Sequence, residues 1–204
     1  MIRSTEPFES ILETMRQAAG ALKQADVPFL LGGGLACWAR GGPPTDHDVD
    51  FLLRRRHAEG GLEALARAGM ETECPPEHWL FKAYDDDVLV DLIFEPSGLR
   101  VDDAMFERAD ELEVRAVRML VASVDDVVAT KLMALSEQSL DYRSVLEIAR
   151  TLREQIDWAW VREQTESSPY AKALFTLVEE LGIVETSYPS RTASVSRIRG
   201  SRMP

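Results

Sequence analysis

The sequence contains few cysteines, few histidines and no long apolar run. Its two cysteines, Cys37 and Cys74, and its three histidines have no spacing typical of a metal site, so we expect two buried free thiols rather than a disulfide. No apolar run approaches the ~20 residues that cross a bilayer, so no membrane partner is expected. The first residues also lack the apolar segment of a signal peptide, and the sequence therefore predicts a cytoplasmic protein.

Positive charge is scarce as well. Lysine and arginine number 23 against 35 aspartates and glutamates, which gives a formal net charge of −12 at pH 7. Residues 186–204 contain four arginines and no acid, so the +4 of this tail leaves −16 for the preceding residues. Such an acidic body opposes broad attraction to nucleic acid, and a polyanion would need a local basic patch. The run from Arg54 to His57 is one candidate, although basic runs are usually ordinary solvated faces.

The apolar pattern predicts an α+β fold, in which a mixed α/β sheet flanked by helices is followed by a helical C-terminal module. Runs with strand character lie at 29–31, 48–53, 70–74, 78–84 and 88–94, with another short strand between 113 and 120. Helical periodicity lies at 8–25, 35–40, 62–68, 124–135, 142–152, 158–165 and 169–181. Asp125, Asp157 and Ser168 are expected to cap three of the C-terminal helices.

These elements predict a core domain at residues 1–120 and a helical module at 121–185. Residues 186–204 have almost no apolar content, and we expect this basic tail to be disordered.

Two aspartates follow a glycine-rich turn. Asp48 and Asp50 are spaced i, i+2, and alternate residues of a strand point to the same side, so both carboxylates would lie together. Two such carboxylates repel each other unless a cation lies between them. A third acid, Asp91, interrupts the apolar run from Val88 to Phe94, where an unpaired charge is costly. The three acids together indicate a site for a hard divalent cation, Mg²⁺ or Mn²⁺.

This assignment leaves alternatives open. Asp46 and Asp48 form a second acid pair with the same spacing, and we choose Asp48 and Asp50 because the residues that alternate with them are then all apolar. The acids could also decorate a solvated loop, with Asp91 paired to an arginine and no metal ion bound.

The apolar run before these acids ends in a glycine triplet at 32–34. Gly33 and Gly34 have no Cβ, so their backbone amides could approach phosphate groups closely. The alternative is a tight strand-to-helix turn without a ligand. The acids that follow favour the phosphate-binding interpretation.

The order of these pieces is Gly33-Gly34, thirteen residues, Asp48-Val49-Asp50-Phe51 and then Asp91 on a later strand. It resembles the nucleotidyltransferase superfamily of polymerase-β type, and is most similar to the AbiEii and MenT toxin group of small bacterial members. The resemblance implies a nucleotidyltransferase-like core and an Mg²⁺-dependent enzyme that transfers a nucleoside monophosphate from a nucleoside triphosphate to an acceptor hydroxyl. It also implies an RNA acceptor, the 3′ end of tRNA, and a cognate antitoxin protein as a partner.

The resemblance implies a role for each matching residue. Asp48, Asp50 and Asp91 would be catalytic metal ligands, and Asp91 would also help to remove the proton of the acceptor. The nucleotide would contact Gly33, Gly34, Thr45, Lys131 and Asp141. A lone lysine on an apolar helix, such as Lys131, is also typical of simple snorkelling to solvent.

The sequence departs from the pattern of this family at two positions. Gly34 stands where many relatives have serine, and Pro44 stands where many have arginine. Arg40 is therefore a candidate for the missing phosphate contact.

Three functional hypotheses follow. In the first, the protein is a nucleotidyltransferase toxin that modifies tRNA. In the second, the acceptor is a small molecule such as an aminoglycoside, or a protein hydroxyl, because an acidic cleft favours cationic acceptors. In the third, the chain is an inactive nucleotidyltransferase-like domain with a binding or regulatory role, a hypothesis prompted by Pro44.

Overall fold

The computed structural model describes residues 6–45, 48–96 and 99–184. Their strands are β1 (Phe29–Leu31), β2 (Val49–Leu53), β3 (Glu71–Glu73), β4 (Leu80–Asp85), β5 (Val88–Ile93), β6 (Asp110–Val114) and β7 (Val117–Val121). Their α-helices are α1 (Glu6–Gln24), α2 (Gly33–Ala39), α3 (Arg55–Arg67), α4 (Asp103–Glu107), α5 (Val124–Met133), α6 (Arg143–Leu152), α7 (Trp158–Gln164) and α8 (Pro169–Glu180). The tail at 186–204 and Asp46 lie outside the described residues.

These strands form one mixed sheet with the order β3-β4-β5-β2-β1-β7-β6. β2 pairs with β5 and β1 pairs with β7 in parallel, whereas the other neighbouring strands are antiparallel. The predicted mixed sheet with flanking helices is therefore confirmed. The strand order places β2 and β5, which carry predicted site residues, side by side near the middle of the sheet.

The apolar core lies where α1 and α3 contact the sheet. α1 is amphipathic, and residues of its apolar stripe such as Met15 and Leu22 are fully buried. Phe29 on β1 and Phe51 on β2 meet edge to face, with ring centroids 5.0 Å apart. Burying each side chain of this kind stabilises the fold by roughly 1.5–3 kcal/mol. Because side chains alternate along a strand, Asp50 points away from the face that Phe51 occupies.

Helices α5–α8 lie where the helical module was predicted, whereas the domain boundary at residue 120 stays a prediction. Asp157 and Ser168 cap α7 and α8 as expected, since each accepts backbone N–H groups of the first helical turn. The prediction for Asp125 was wrong, because Ser123 caps α5 and its Oγ accepts the N–H of Asp126 at 3.1 Å. Asp125 instead accepts the backbone N–H of Asp157 at 2.7 Å, which joins α5 to the start of α7.

Two elements differ from the predicted ones. Helix α3 begins at Arg55 rather than at residue 62, although glycine disfavours helix interiors. A Cβ on Gly61 would lie 3.1 Å from Leu53 Cδ2, so the missing side chain lets α3 pack closely on the sheet. The hairpin β6–β7 replaces the single strand predicted between 113 and 120. Its turn residues, Arg115 and Ala116, have φ values of 52° and 62°. Positive φ values in a hairpin turn usually occur at glycine or asparagine, so the sequence did not indicate this turn.

A third difference is α4, which the sequence pattern did not predict. This helix has only five residues, too few for a recognisable helical period. Asp102 caps it by accepting the backbone N–H of Met105 at 3.0 Å.

The thiol prediction is half right. Both cysteines are free, and Cys37 is buried on α2, but Cys74 is exposed, because it follows the edge strand β3, whose three residues are all exposed. In the described part of the chain, no helix combines the length and apolar character that a membrane crossing requires. The cytoplasmic location stays a prediction.

Candidate active site

The strand register brings two of the predicted acids together. Asp50 on β2 and Asp91 on β5 are direct partners in a parallel pair, so their side chains emerge on the same face of the sheet. Asp48 immediately precedes β2, two residues before Asp50. The structure therefore brings Asp50 and Asp91 together, and the charge of Asp48 acts on both.

The acids act on one another electrostatically. Burial above all, together with the charges of Asp91 and Asp48, raises the pKa of Asp50 to about 7, although the charge of Lys131 opposes the rise. Burial also raises the pKa of Asp91, an effect that Lys82 opposes. Carboxyl groups that are held together at such a cost are typical of sites that bind a cation or transfer a proton.

The glycine turn lies directly against this acid pair. The N–H of Gly32 donates to the backbone oxygen of Asp50 at 2.8 Å, which fixes the turn to β2. Gly33 has a φ of 52°, and a Cβ at this position would lie 1.7 Å from Asp50 Oδ2. A Cβ on Gly34 would lie 2.7 Å from Thr45 Oγ1. The turn therefore needs glycine both for its backbone conformation and for the space that Asp50 and Thr45 occupy.

Lys131 lies on the other side of the glycine turn. It lines a small cavity together with Gly34, Thr45 and two residues of α6, Ser144 and Glu147. Lys131 therefore faces the proposed site instead of only snorkelling to solvent. Its charge acts both on Asp50 and on the nearby Cys37.

Ser144 and Glu147 were not predicted as site residues. Their three-residue spacing puts them on one side of α6, but only the packing of α6 brings that side to the cavity. The strongest sequence signal available was the amphipathic period of α6, which identifies its buried face and not its polar one.

Asp141 and Arg40 make local contacts. Asp141 is exposed and accepts the backbone N–H of Arg143 at 2.8 Å, and it does not line the cavity beside Lys131. Its nucleotide contact stays a prediction. Arg40 donates to the backbone oxygens of Ala122 and Val121, each at 2.9 Å, and to Asp110 Oδ2 at 2.8 Å. These bonds fix α2 to the β6–β7 hairpin, so Arg40 does not provide a free guanidinium for a phosphate.

Two arginines of the basic run pack against other side chains. Arg54 Nε donates to Asp103 Oδ1 at 2.7 Å, and its guanidinium lies 3.7 Å from the centroid of the Phe106 ring. The guanidinium of Arg55 lies 4.6 Å from the centroid of the Phe94 ring. These contacts favour the structural interpretation of the run over a phosphate-binding edge.

Lys82 is a charged residue of the site that the sequence pattern did not indicate. It lies on β4 directly opposite Asp91, and its Nζ donates to Asp91 Oδ1 at 3.1 Å. The predicted strand 78–84 contains Lys82, but its partner depends on the register between β4 and β5. The third acid is therefore paired with a lysine, not with the arginine of the alternative interpretation.

The chemistry of the site fits a hard divalent cation. Carboxylate oxygens are the ligands that Mg²⁺ and Mn²⁺ prefer, and the missing Cβ of Gly33 provides the space that Asp50 Oδ2 occupies. Among residues 6–45, 48–96 and 99–184, no three Asp, Glu, His or Cys side chains already form a group that could hold a metal ion. The ammonium group of Lys82 also lies on one of the Asp91 oxygens that a metal ion would use.

A family model described as "Nucleotidyl transferase of unknown function (DUF2204)" matches residues 11–176. No curated protein matches the chain.

Several solved structures are similar to this chain. The crystal structure of ANT(2″)-Ia in complex with adenylyl-2″-tobramycin has a TM-score of 0.59 and 13% identity, covering 80% of this chain and 98% of the other. The solution structure of ANT(2″)-Ia has a TM-score of 0.57 and 13% identity, with coverages of 85% and 97%. An antigenic nucleotidyltransferase-like protein from Paracoccidioides brasiliensis has a TM-score of 0.50 and 15% identity, with coverages of 87% and 89%. At these identities the similarity shows a shared fold.

Proposed function

Because this chain belongs to the family described as nucleotidyl transferase of unknown function (DUF2204), we propose that it transfers a nucleoside monophosphate from a nucleoside triphosphate to an acceptor hydroxyl. The observation that carries the proposal is the register that sets Asp50 opposite Asp91 beside the glycine turn. In this reaction the acceptor oxygen forms a bond to the α-phosphorus, and the bond from the α-phosphorus to its bridging oxygen breaks. Pyrophosphate leaves, and the hydroxyl proton passes to a base.

The three acids would have different roles near the α-phosphorus and the acceptor hydroxyl. Asp48, Asp50 and Asp91 would hold Mg²⁺ or Mn²⁺, which supplies neutralisation of the phosphate charge when it is bound. Asp91 is the candidate base, as the sequence resemblance implies, and burial raises the pKa of its carboxyl group above the ordinary value. Asp50 is enclosed by the glycine turn and serves to position, not to transfer a proton.

The triphosphate would lie between the glycine turn and the helical module. Backbone amides of Gly33 and Gly34 and the hydroxyl of Thr45 can donate to phosphate oxygens, while Lys131 supplies the positive charge. Ser144 extends the same wall of the cavity from α6. This arrangement uses residues from both the sheet and the helices, so an intact pocket requires both parts of the chain.

For the acceptor, we propose a small molecule that carries positive charge. Glu73 on β3, Lys82 on β4 and Asp91 on β5 form one row of direct cross-strand partners, and all three residues of β3 are exposed. This surface next to the candidate base is acidic, as is the protein as a whole, with a net charge of −12. The fold shared with ANT(2″)-Ia, whose complex holds an adenylylated tobramycin, supports the same choice.

The RNA acceptor, the cognate antitoxin and the AbiEii/MenT assignment stay predictions of the sequence resemblance. The packing of Arg54 against Asp103 and the Phe106 ring removes one cation from the surface on which an RNA acceptor would depend. An inactive domain is the remaining alternative.

One experiment separates these possibilities. The purified chain is incubated with each α-labelled nucleoside triphosphate, Mg²⁺ or Mn²⁺, and either a panel of aminoglycosides or total tRNA. We expect transfer of label to a cationic small molecule and none by the Asp91→Asn variant. Label on tRNA would instead support the toxin hypothesis. If no acceptor is labelled and calorimetry detects no metal-dependent binding of any triphosphate, the transferase proposal fails and the inactive domain is supported.

A further inference from the structure

The ion pair between Lys82 and Asp91 occupies the middle of the proposed site. The Lys82 Nζ lies 3.1 Å from Asp91 Oδ1, and the two side chains are only 25% and 13% exposed. Surface ion pairs of two flexible side chains contribute little, but this pair is largely shielded from water. Its position is fixed by backbone pairing, since Lys82 and Asp91 are direct partners across β4 and β5.

This ammonium group and a divalent cation would compete for the same carboxylate. A metal ion bound by Asp50 and Asp91 would approach the oxygens that face the site, and a second positive charge within a few ångströms repels it strongly. Asp91 Oδ1 also cannot offer its full negative charge to a metal ion while Lys82 donates to it.

Lys82 has a second carboxylate within reach. Glu73 on β3 is its direct partner on the other side of β4, and directly opposed residues in antiparallel strands have Cβ atoms about 4.5–5.5 Å apart. The four-carbon stem of lysine can change rotamer without moving the backbone. Glu73 is exposed and accepts from the Tyr84 hydroxyl at 3.1 Å, so one more donor can join it.

We propose that Lys82 is a displaceable counter-ion that holds the place of the metal ion on Asp91 and moves toward Glu73 when the metal ion binds with the triphosphate. This role rests on the proposed transferase function. The negative charge of the triphosphate offsets the repulsion between Lys82 and the metal ion, so metal and nucleotide bind with positive coupling. Lys82 thereby disfavours metal binding in the absence of nucleotide and keeps Asp91 in position in the meantime.

The test measures metal affinity directly, without turnover. Mn²⁺ is titrated into the full-length protein, and free Mn²⁺ is followed by electron paramagnetic resonance. Without nucleotide, Lys82→Met is expected to bind Mn²⁺ about tenfold more tightly than the wild type, because one opposing charge is removed. Lys82→Arg, which keeps the charge, should resemble the wild type, and Lys172→Met controls for the loss of a lysine at an exposed position of α8. With a non-hydrolysable triphosphate present, the advantage of Lys82→Met should fall to about twofold or less.

A variant that is expected to weaken Mn²⁺ binding tests whether Lys82 can move toward Glu73. Glu73→Gln removes the alternative carboxylate, so Lys82 stays on Asp91 and Mn²⁺ affinity is expected to decrease about two- to threefold. Combining Lys82→Met with Glu73→Gln should abolish this decrease, because the double variant has no lysine that could stay on Asp91.

The proposal is overturned if thermal unfolding shows that the Lys82→Met variant is folded, and this variant binds Mn²⁺ no more tightly than the wild type. Lys82→Gln gives the same test if the methionine variant does not fold. If the wild type transfers nucleotide but the Lys82 variants have the same metal affinity as the wild type, only the counter-ion role is refuted. A wild type that neither binds Mn²⁺ with nucleotide nor transfers label refutes both this role and the transferase function.

Discussion

The Cβ that Gly33 lacks would lie 1.7 Å from Oδ2 of Asp50, well inside van der Waals contact. The Asp50 carboxylate therefore occupies space that no residue with a side chain at position 33 would leave. Gly33 also has a φ of 52°, which adds a smaller conformational requirement.

Replacing Gly33 by alanine should therefore abolish nucleotidyl transfer. The methyl group must displace the Asp50 carboxylate, and a misplacement of about 1 Å at a reacting centre can cost about 100-fold in rate. We expect a loss of at least about 100-fold in kcat/KM in the labelling assay. Gly41→Ala is the matched control, because Gly41 also has a positive φ, 91°, but open space around its missing Cβ. Equal losses of activity in both variants would mean that backbone strain, and not the carboxylate contact, explains the effect.

The raised pKa of Asp50 predicts how the stability of the metal-free protein depends on pH. The native state holds a proton on Asp50 up to about pH 7, whereas the ordinary pKa is 3.8. The unfolded chain thus binds fewer protons in this window, and the free energy of unfolding decreases as pH rises from about 4 to 7. The stability that protonated Asp50 contributes is fully present below its ordinary pKa of 3.8 and is lost above its pKa in the native state, about 7.

Asp50→Asn removes this titration. We expect the difference in free energy of unfolding between the variant and the wild type to change in favour of the variant by on the order of 1–3 kcal/mol from pH 5 to pH 8. Urea unfolding in EDTA at both pH values measures the difference. Without EDTA, Mg²⁺ added together with a non-hydrolysable triphosphate should raise the stability of the wild type at pH 8 more than that of the variant. A stability difference that is the same at both pH values would contradict the raised pKa.

Local pattern was sufficient for the central part of the site. The acid at Asp50 and the acid inside an apolar strand at Asp91 are neighbours in the sheet, as their positions in the sequence suggested, whereas their role as metal ligands stays a prediction. The mixed sheet orders β2 and β5 as neighbours, so Asp91 reaches Asp50 across one strand pairing. Helix boundaries in the C-terminal module also agree within two residues.

Residues that reach the site through tertiary packing were not predictable. Lys82 is polar in a strand that is otherwise mixed, and only the β4–β5 register shows that it faces Asp91. Ser144 lies on a helix whose apolar face was evident but whose docking against α5 was not. The turn at Arg115 was missed because its left-handed backbone conformation is adopted without glycine.

An ion pair between a buried carboxylate and a partly exposed arginine connects α5, which carries Lys131, to the residue that follows α4. Asp126 is 2% exposed, and Arg108 donates to its two oxygens at 2.7 and 3.1 Å. Arg108→Met would leave a buried carboxylate without its cation, and we expect a loss of about 3–5 kcal/mol in the free energy of unfolding. Arg118→Met is the control, because the pair of Arg118 with Glu111 is more than half exposed and should cost less than about 1 kcal/mol. Similar losses in both variants by urea unfolding would contradict this assignment.

Lys131 should contribute to binding of the triphosphate more than to the chemical step. It lines the cavity beside Gly34 and acts electrostatically on Asp50. Loss of one charge-assisted contact to phosphate corresponds to roughly 1.5–3 kcal/mol, so Lys131→Met should raise the KM for the nucleotide about tenfold or more. Lys131→Arg should recover part of the affinity. An unchanged KM with a lower kcat would place Lys131 at the reacting phosphorus instead.

The side of the pocket formed by α6 can be tested by comparing two neighbouring positions. Ser144 lines the cavity with Lys131, whereas Asp141 is exposed and accepts the N–H of Arg143 at 2.8 Å. Loss of a neutral hydrogen bond corresponds to roughly 0.5–1.5 kcal/mol, so Ser144→Ala should raise the nucleotide KM about two- to tenfold without changing the unfolding midpoint. Asp141→Asn should lower thermal stability slightly, since it weakens a bond at the start of α6, and should leave this KM within about twofold of the wild type. A larger effect on KM at Asp141 than at Ser144 would restore the nucleotide contact that the sequence resemblance implies, and would require α6 to move closer to Lys131 when nucleotide binds.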